Sequence, residues 1–291
     1  MNIEEALSRF LVQLEADGRS GHTIGQYRRH VRALARWLAA ERLPLDVAAV
    51  THEDIAAFVA SPAARCRPDG TPKTGTSVNA MRGSLRGFFS YLHEAGYVAA
   101  NPTRLLRRAI CSPPPPRALT DDEQRRLLEV LDGGESYEAR RDAALVRTML
   151  GTGLRLSSAL ALRVEDLDLV AREVTIRSSK GSRPDRLPIS REVTRVLSDW
   201  IEDRTDGVLF GSRSGWSLCA RHVQRRFRKA VEAAGITRAA SPHALRHSFA
   251  TRLYARTGDL GLVQAALHHR SIASTLVYAR TSVDRLRAAI G

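Results

Sequence analysis

Four consecutive prolines at residues 113–116 interrupt the chain within the stretch CSPPPPRALT. Proline fixes its own φ angle, lacks an amide donor and restrains the residue before it, so this run fits neither a helix nor the interior of a sheet. It predicts a stiff, extended connector. We therefore expect two separately folded parts, residues 1–110 and 118–291, joined by a linker over residues 111–117.

The length of 291 residues allows each part its own buried core. No apolar run approaches the roughly 20 residues that cross a bilayer, and the acidic start MNIEEALSRF is unlike a secretory signal. Cys66, Cys111 and Cys219 are far apart and lack CxxC spacing, which indicates neither a disulfide framework nor a zinc site. We expect a soluble, cytoplasmic protein.

The chain carries 45 Lys and Arg residues against 31 Asp and Glu residues, a formal net charge of +14. Such an excess repels itself unless a polyanion offsets it, so nucleic acid is the expected partner. Lys73, Lys180 and Lys229 are lysines, and every other basic residue is an arginine. Because arginine binds phosphate well but stays protonated at any working pH, a lysine is the better proton donor.

The first part has apolar residues at helical spacing in TIGQYRRHVRALARWLAAE, with Thr23 as the expected N-cap, and in SVNAMRGSLRGFFSYLHEAGYV, which should end near Gly96. Between them, Thr51 and Asp54 form a capping pattern. A small all-helical bundle is expected. Its arginines suit either a solvated face or a DNA groove. The arginines of these two helical segments are Arg28, Arg29, Arg32, Arg36, Arg82 and Arg86.

The second part predicts a mixed α+β domain that opens with a capping box from Thr120 to Glu123. Further along, EVTIRSS and DRLPI flank the turn-prone KGSRPD, which predicts a β-hairpin with Lys180 near its tip. Ser241 and Pro242 have the residue types of an N-cap and a first helical position. Helices are expected near residues 140–151, 157–163, 191–202, 218–234 and 242–255. The fold class is therefore mainly α with a small β-sheet or hairpin.

Four segments of the second part stand out: GTGLRLSSALALRVEDL, SSKGS, SPHALRHSFATRL and LHHRSIASTLVYAR. Together they resemble the tyrosine recombinase, or phage integrase, family in its simple Xer-like form, over most of residues 118–291. The most specific part is HALRHSFAT followed by LHH and then, nine residues after the second histidine, a tyrosine. The resemblance implies a helical core-DNA-binding domain and a mixed catalytic domain that form a clamp on double-stranded DNA.

The resemblance also implies which residues act. Attack of a phenol on a DNA phosphodiester requires charge neutralisation at the phosphate, a base for the nucleophile and an acid for the leaving oxygen. Guanidinium groups suit the first task and an ammonium suits the last. Tyr278 would form a 3′-phosphotyrosyl bond that stores the energy of the broken linkage, so no metal, ATP or other cofactor is implied. The implied catalytic residues are Arg155, Lys180, His243, Arg246, His269 and Tyr278.

Other residue types compete with these assignments. Tyr254 shares the context YART with Tyr278, but its position predicts core packing. His247 is expected to point away from the site and to be structural. A metal held by His243, His247, His268 and His269 is the competing idea for these side chains, although no carboxylate or cysteine recurs at ligand spacing.

Two positions depart from the family pattern. Ser158 stands where an acidic residue commonly follows the first arginine, and His268 replaces a common glycine. The resemblance implies a homotetramer on two inverted-repeat core sites, with or without a second recombinase. Residues 281–290 predict a short amphipathic helix, which either packs on its own domain or, as the resemblance implies, docks into a neighbouring protomer. A type IB topoisomerase and a catalytically silent DNA-binding regulator remain alternatives.

Overall fold

The structure, a computed structural model, describes residues 1–111, 118–177 and 185–267. The chain divides into two compact units, Met1–Pro113 and Pro114–Gly291. Within the described residues, no helix is long and apolar enough to cross a membrane. The predicted fold class is confirmed, since helices dominate both units and the described strands form one small antiparallel sheet.

The first unit is a helical bundle, as its periodicity predicted. An aromatic cluster lies in its core, where the ring of Phe10 contacts the edges of Tyr27 and Phe88 at centroid distances of 5.1 and 5.6 Å. Leu34, Leu85 and other apolar side chains at helical spacing are fully buried around it. Its helices in residues 1–111 are α1 (Ile3–Ala16), α2 (Gly21–Ala40), α3 (His52–Ala60), α4 (Pro62–Arg65) and α5 (Gly75–Glu94).

Helix caps account for where these elements begin. Thr51 and Asp54 form the predicted capping box of α3. The predicted cap of α2 is wrong, because Ser20 is the N-cap and its hydroxyl accepts from the amide of Thr23, which lies inside the first turn. At the far end of the unit, the Asn79 amide bonds both backbone groups of Ala109 at 2.9 Å, which ties the segment before the prolines to α5.

The second unit is arranged around α7 (Tyr137–Thr152), which has ten buried residues, more than any other described helix. This helix, α7, packs against α6, α9 and α11. The predicted capping box of α6 is confirmed at Thr120 and Glu123. Its helices in residues 118–177 and 185–267 are α6 (Asp121–Asp132), α7 (Tyr137–Thr152), α8 (Leu156–Ala161), α9 (Arg191–Ile201), α10 (Ala220–Ala233), α11 (Pro242–Thr257) and α12 (Leu260–Ala266).

The sheet confirms the predicted hairpin and adds a short strand to it. β1 (Leu167–Asp168), β2 (Glu173–Ile176) and β3 (Asp185–Pro188) pair antiparallel in that order. Val174 lies opposite Leu187, and both are buried on the core face, as the period of two in a strand requires. The hairpin tip with Lys180 lies outside the described residues.

Candidate functional site

Arg246 is buried in the second unit, with only 3% of its surface exposed. It lies one turn into α11, and its guanidinium donates to two backbone carbonyls of other segments. Nη1 donates to the oxygen of Gly153 at 2.7 Å, and Nη2 donates to the oxygen of Leu267 at 2.6 Å. A buried cation requires such partners, because its desolvation is otherwise very costly. Arg246 therefore ties the end of α7 to the end of α12.

The first of these carbonyls belongs to the turn that presents Arg155. Gly153 ends α7 in the left-handed region at φ 67°, which favours glycine. A Cβ at this position would lie 2.4 Å from Cδ1 of Phe249, so the turn also packs closely on α11. Arg155 follows two residues later as the N-cap of α8, and its side chain is exposed. The bond from Arg246 to Gly153 thus fixes the backbone just before Arg155.

The second carbonyl lies at the entry to the LHH motif. Leu267 is fully buried with Val263 and Ala250, and it directly precedes His268 and His269 in the sequence. His269, Tyr278 and Lys180 themselves lie outside the described residues, as does the tail over residues 281–290. Of the six implied catalytic residues, the structure therefore describes Arg155, His243 and Arg246.

His243 is exposed in the first turn of α11, behind Ser241 and Pro242 at the predicted N-cap and first helical positions. The expectation that His247 points away is wrong, while its expected structural role stays a prediction. Four residues after His243, it lies on the same face of the helix, and its ring meets the His243 ring edge-on at a centroid distance of 4.7 Å. His247 is half-buried and adjoins the predicted site rather than facing away from it.

Tyr254 confirms the core interpretation of the first YART. It is half-buried on α11 and packs against the small cluster of Ala250, Val263 and Leu267. Ser158, the departure from the family pattern, is half-buried on α8. In the described part of the chain, no group of three or more His, Cys, Asp or Glu side chains has the geometry to hold a metal ion.

A basic cavity of about 760 Å³ lies beside the start of α11. It extends from the exposed arginines of α10 to Ser241 and Pro242, the two residues before His243. Sequence analysis missed it, although a signal is present: residues 207–231 contain six Lys and Arg residues and no Asp or Glu. Its basic lining residues are Arg221, His222, Arg225 and Arg228. Such a concave, one-signed surface attracts a polyanion.

The sequence also matches two family descriptions that together span most of the chain. "Phage integrase, N-terminal SAM-like domain" matches residues 7–96, and "Phage integrase family" matches residues 117–285. The chain belongs to the phage integrase family. It is similar to tyrosine recombinase XerC of Xylella fastidiosa (strain M23), with 32% identity over 90% of this chain and 86% of that protein. It is thus a Xer-like, site-specific tyrosine recombinase.

Solved structures share this fold. The Tn1549 transposon integrase in complex with a circular intermediate DNA superposes with a TM-score of 0.76 at 22% identity, covering 100% of this chain and 99% of that one. The lambda integrase tetramer bound to a Holliday junction superposes with a TM-score of 0.73 at 20% identity, covering 93% of this chain and 78% of that one. These likenesses extend through both units of the recombinase.

Proposed function

We propose that this recombinase cleaves and rejoins DNA strands through a 3′-phosphotyrosyl intermediate formed by Tyr278. The observation that carries the proposal is the pair of bonds from buried Arg246 to Gly153 and Leu267. One bond fixes the turn before Arg155, and the other fixes the residue before His268 and His269. Arg246 thus connects three of the four motifs that the chemistry needs.

In the proposed reaction, Arg155 and Arg246 neutralise the non-bridging oxygens of the scissile phosphate. The two carbonyl bonds of Arg246 hold its guanidinium in one position, and we place the scissile phosphate against it. His243, exposed at the start of the same helix, hydrogen-bonds the phosphate together with His269. One of these imidazoles accepts the phenol proton.

The bond changes balance without another reactant. The phenolate oxygen of Tyr278 attacks phosphorus, the new P–O bond forms, and the P–O5′ bond breaks. Lys180 donates its proton to the leaving 5′ oxygen, which an arginine does not do because it stays protonated at any working pH. A 5′-hydroxyl of another strand then attacks phosphorus and gives its proton to the neutral Lys180. The bond from phosphorus to Tyr278 breaks, and the phenolate takes its proton back from the imidazole, which restores Tyr278 and rejoins the strand.

We assign the two units to one DNA-binding clamp. Residues 1–110 are the helical core-binding domain, residues 111–117 are the linker, and residues 118–291 are the catalytic domain with its tail helix. The basic cavity of α10 lies directly before His243 and supports binding of the phosphate backbone there. We further propose a homotetramer on two inverted-repeat core sites in the cytoplasm. The lambda integrase tetramer on a Holliday junction supports that arrangement.

Covalent capture tests the reaction. The recombinase and its Tyr278→Phe and Tyr254→Phe variants are each incubated with fragmented DNA and denatured, and DNA that stays attached to protein is sequenced. We expect adducts from the wild type and from Tyr254→Phe, none from Tyr278→Phe, and enrichment of one inverted-repeat sequence.

Three other outcomes are informative. Adducts without sequence preference would support a topoisomerase-like enzyme. Binding of DNA without any adduct would support a silent regulator. Adducts that survive in Tyr278→Phe and vanish in Tyr254→Phe would assign the nucleophile to Tyr254.

A further inference from the structure

Trp216 is a large apolar side chain that the fold leaves in solvent. It is 75% exposed, whereas Trp200 is 6% exposed and Trp37 is half-buried. Single exposed apolar residues are common, but tryptophan is enriched among the residues that contribute most to binding at interfaces. The chain has three tryptophans, and Trp216 is the exposed one. The question is which partner its surroundings fit.

The loop that carries Trp216 is held in one conformation by its own backbone. The amide of Ser212 donates to the carbonyl of Trp216 at 2.8 Å, and the amide of Trp216 donates back to Oγ of Ser212 at 3.1 Å. Gly215 makes the turn at φ 81°, where a side chain would be strained. Trp216 is therefore presented on a closed loop, which lowers the entropy cost of using it for binding.

The core of the unit also anchors this loop. Nη1 of buried Arg141 donates to the carbonyl of Gly211 at 3.4 Å, and the hydroxyl of Tyr137 donates to the carbonyl of Ser212 at 3.4 Å. The Asp142 carboxylate bonds both Arg141 and Arg226 of α10. The loop and α10 thus share one rigid base, and Trp216 lies four residues before α10 begins.

The charge of the segment that carries Trp216 favours a polyanion over another protein. Arg213 lies within the loop, and Arg221, Arg225 and Arg228 follow on the exposed face of α10 that lines the basic cavity. No acidic residue occurs from residue 207 to residue 231. An exposed aromatic beside arginines is the combination by which proteins bind nucleic acid, since the ring packs on sugar or base while the cations hold phosphates.

We propose that Trp216 is a DNA-contacting residue, whose indole packs on the sugar–phosphate backbone next to the phosphates held by α10. This inference rests on the proposed function, because it requires that the second unit binds duplex DNA. The contact is apolar and contributes no ion pair. It therefore adds affinity without adding to the salt dependence of binding.

The test uses the full chain, a mixed-sequence synthetic duplex and the tryptophan emission of the protein. The difference between the wild type and Trp216→Phe isolates the emission of Trp216. Trp200→Phe is the matched control, since Trp200 belongs to the same unit and is only 6% exposed. We expect duplex DNA to change the Trp216 emission and to shield it from acrylamide, while the difference emission of Trp200 stays constant. Circular dichroism and thermal unfolding confirm that the variants fold.

Affinity measured over a range of salt concentrations separates the contact from electrostatics. We expect Trp216→Ala to weaken binding about five- to tenfold, at the low end for an aromatic contact to nucleic acid, with an unchanged slope of log K against log salt. Arg225→Ala should reduce the magnitude of that negative slope by about 1, as the loss of one phosphate contact does.

Duplex binding with unchanged Trp216 emission and unchanged affinity of Trp216→Ala would overturn this inference and leave the proposed function standing. Emission that changes with protein concentration in the absence of DNA would also overturn it, in favour of contact with a second copy of the chain. Failure of every variant to bind the duplex would overturn both.

Discussion

Arg246 and Arg155 are proposed to meet the same phosphate, yet their surroundings are opposite. Arg246 is 3% exposed and donates to the carbonyls of Gly153 and Leu267. Arg155 is exposed at the start of α8, two residues after Gly153. The buried arginine is thus part of the framework, and the exposed one is positioned by that framework.

Arginine thus serves two roles in one site. Removal of a buried guanidinium leaves its carbonyl partners without a hydrogen-bond donor. It therefore lowers the free energy of unfolding as well as the rate of the reaction. An exposed guanidinium loses only its contact with the substrate. Stability and activity measured together therefore separate the two arginines.

Gly153 links both arginines, and its substitution should damage the site most. In Gly153→Ala the new Cβ meets Phe249 at 2.4 Å and Leu267 at 2.9 Å, and the φ of 67° strains the residue. We expect urea unfolding to show a loss of about 2 to 4 kcal/mol and the covalent adduct to disappear. Gly207→Ala is the control, since φ there is 95° and nothing lies near its Cβ. Equal losses in both variants would mean that strain alone acts and that the close packing of Gly153 is unimportant.

Arg238 is an arginine with a structural role that lies outside the proposed catalytic residues, and loss of its ion pair should have a smaller effect on stability. Nε of Arg238 donates to Oε1 of Glu123 at 2.8 Å, and Nη2 also bonds this carboxylate. These bonds, with the amide of Thr120, lower the pKa of Glu123 from 4.5 to about 2, against the opposing effect of burial. Because the folded pKa is the lower one, the stabilisation is complete above pH 4.5 and is lost as the pH falls towards 2.

We expect Glu123→Gln to lose only about 1 kcal/mol of unfolding free energy at pH 7, because Arg238 is partly exposed and solvent screens the ion pair. The loss should become progressively smaller below pH 4.5. Unfolding followed from pH 7 to pH 2 checks this. Adduct formation per folded molecule should stay at the wild-type level. A stability deficit that is constant over this pH range would contradict the assigned role of the ion pair.

His243 is exposed like Arg155, but the ring of His247 contacts its ring. Loss of this contact should have the smallest effect. Removing the ring of His247 in His247→Ala should slow adduct formation about two- to tenfold, because an edge-on ring contact is worth about 0.5 to 1.5 kcal/mol. His247→Phe keeps a ring on that face and should remain closer to the wild-type rate. Identical rates for both variants would show that the ring contact does not position His243.

Features set by neighbouring residues were predictable from the sequence. The capping boxes at Thr51 and Thr120 and the hairpin strands follow from short patterns, because their partners lie within a few positions. The misassigned cap at Ser20 shows the limit, since two suitable hydroxyls lie three residues apart and backbone geometry decides between them.

Features set by distant residues were not predictable. Arg246 bonds carbonyls 93 and 21 positions away, and no local pattern distinguishes it from the exposed Arg155. The cavity of α10 likewise depends on how α10 packs beside the start of α11. The position of His247 is different: its spacing of four from His243 already placed both rings on one face. The catalytic roles of all six residues stay predictions: Arg155, Lys180, His243, Arg246, His269 and Tyr278.

Arg246 is inferred to fix the backbone of the site, and Arg155 to be positioned by that backbone. Urea unfolding of Arg246→Ala and Arg155→Ala, measured together with covalent capture of DNA, tests this inference. Both variants should lose the adduct. Arg246→Ala should also lose about 3 kcal/mol of unfolding free energy, whereas Arg155→Ala should stay within about 0.5 kcal/mol of the wild type. Equal stability of the two variants would contradict the claim.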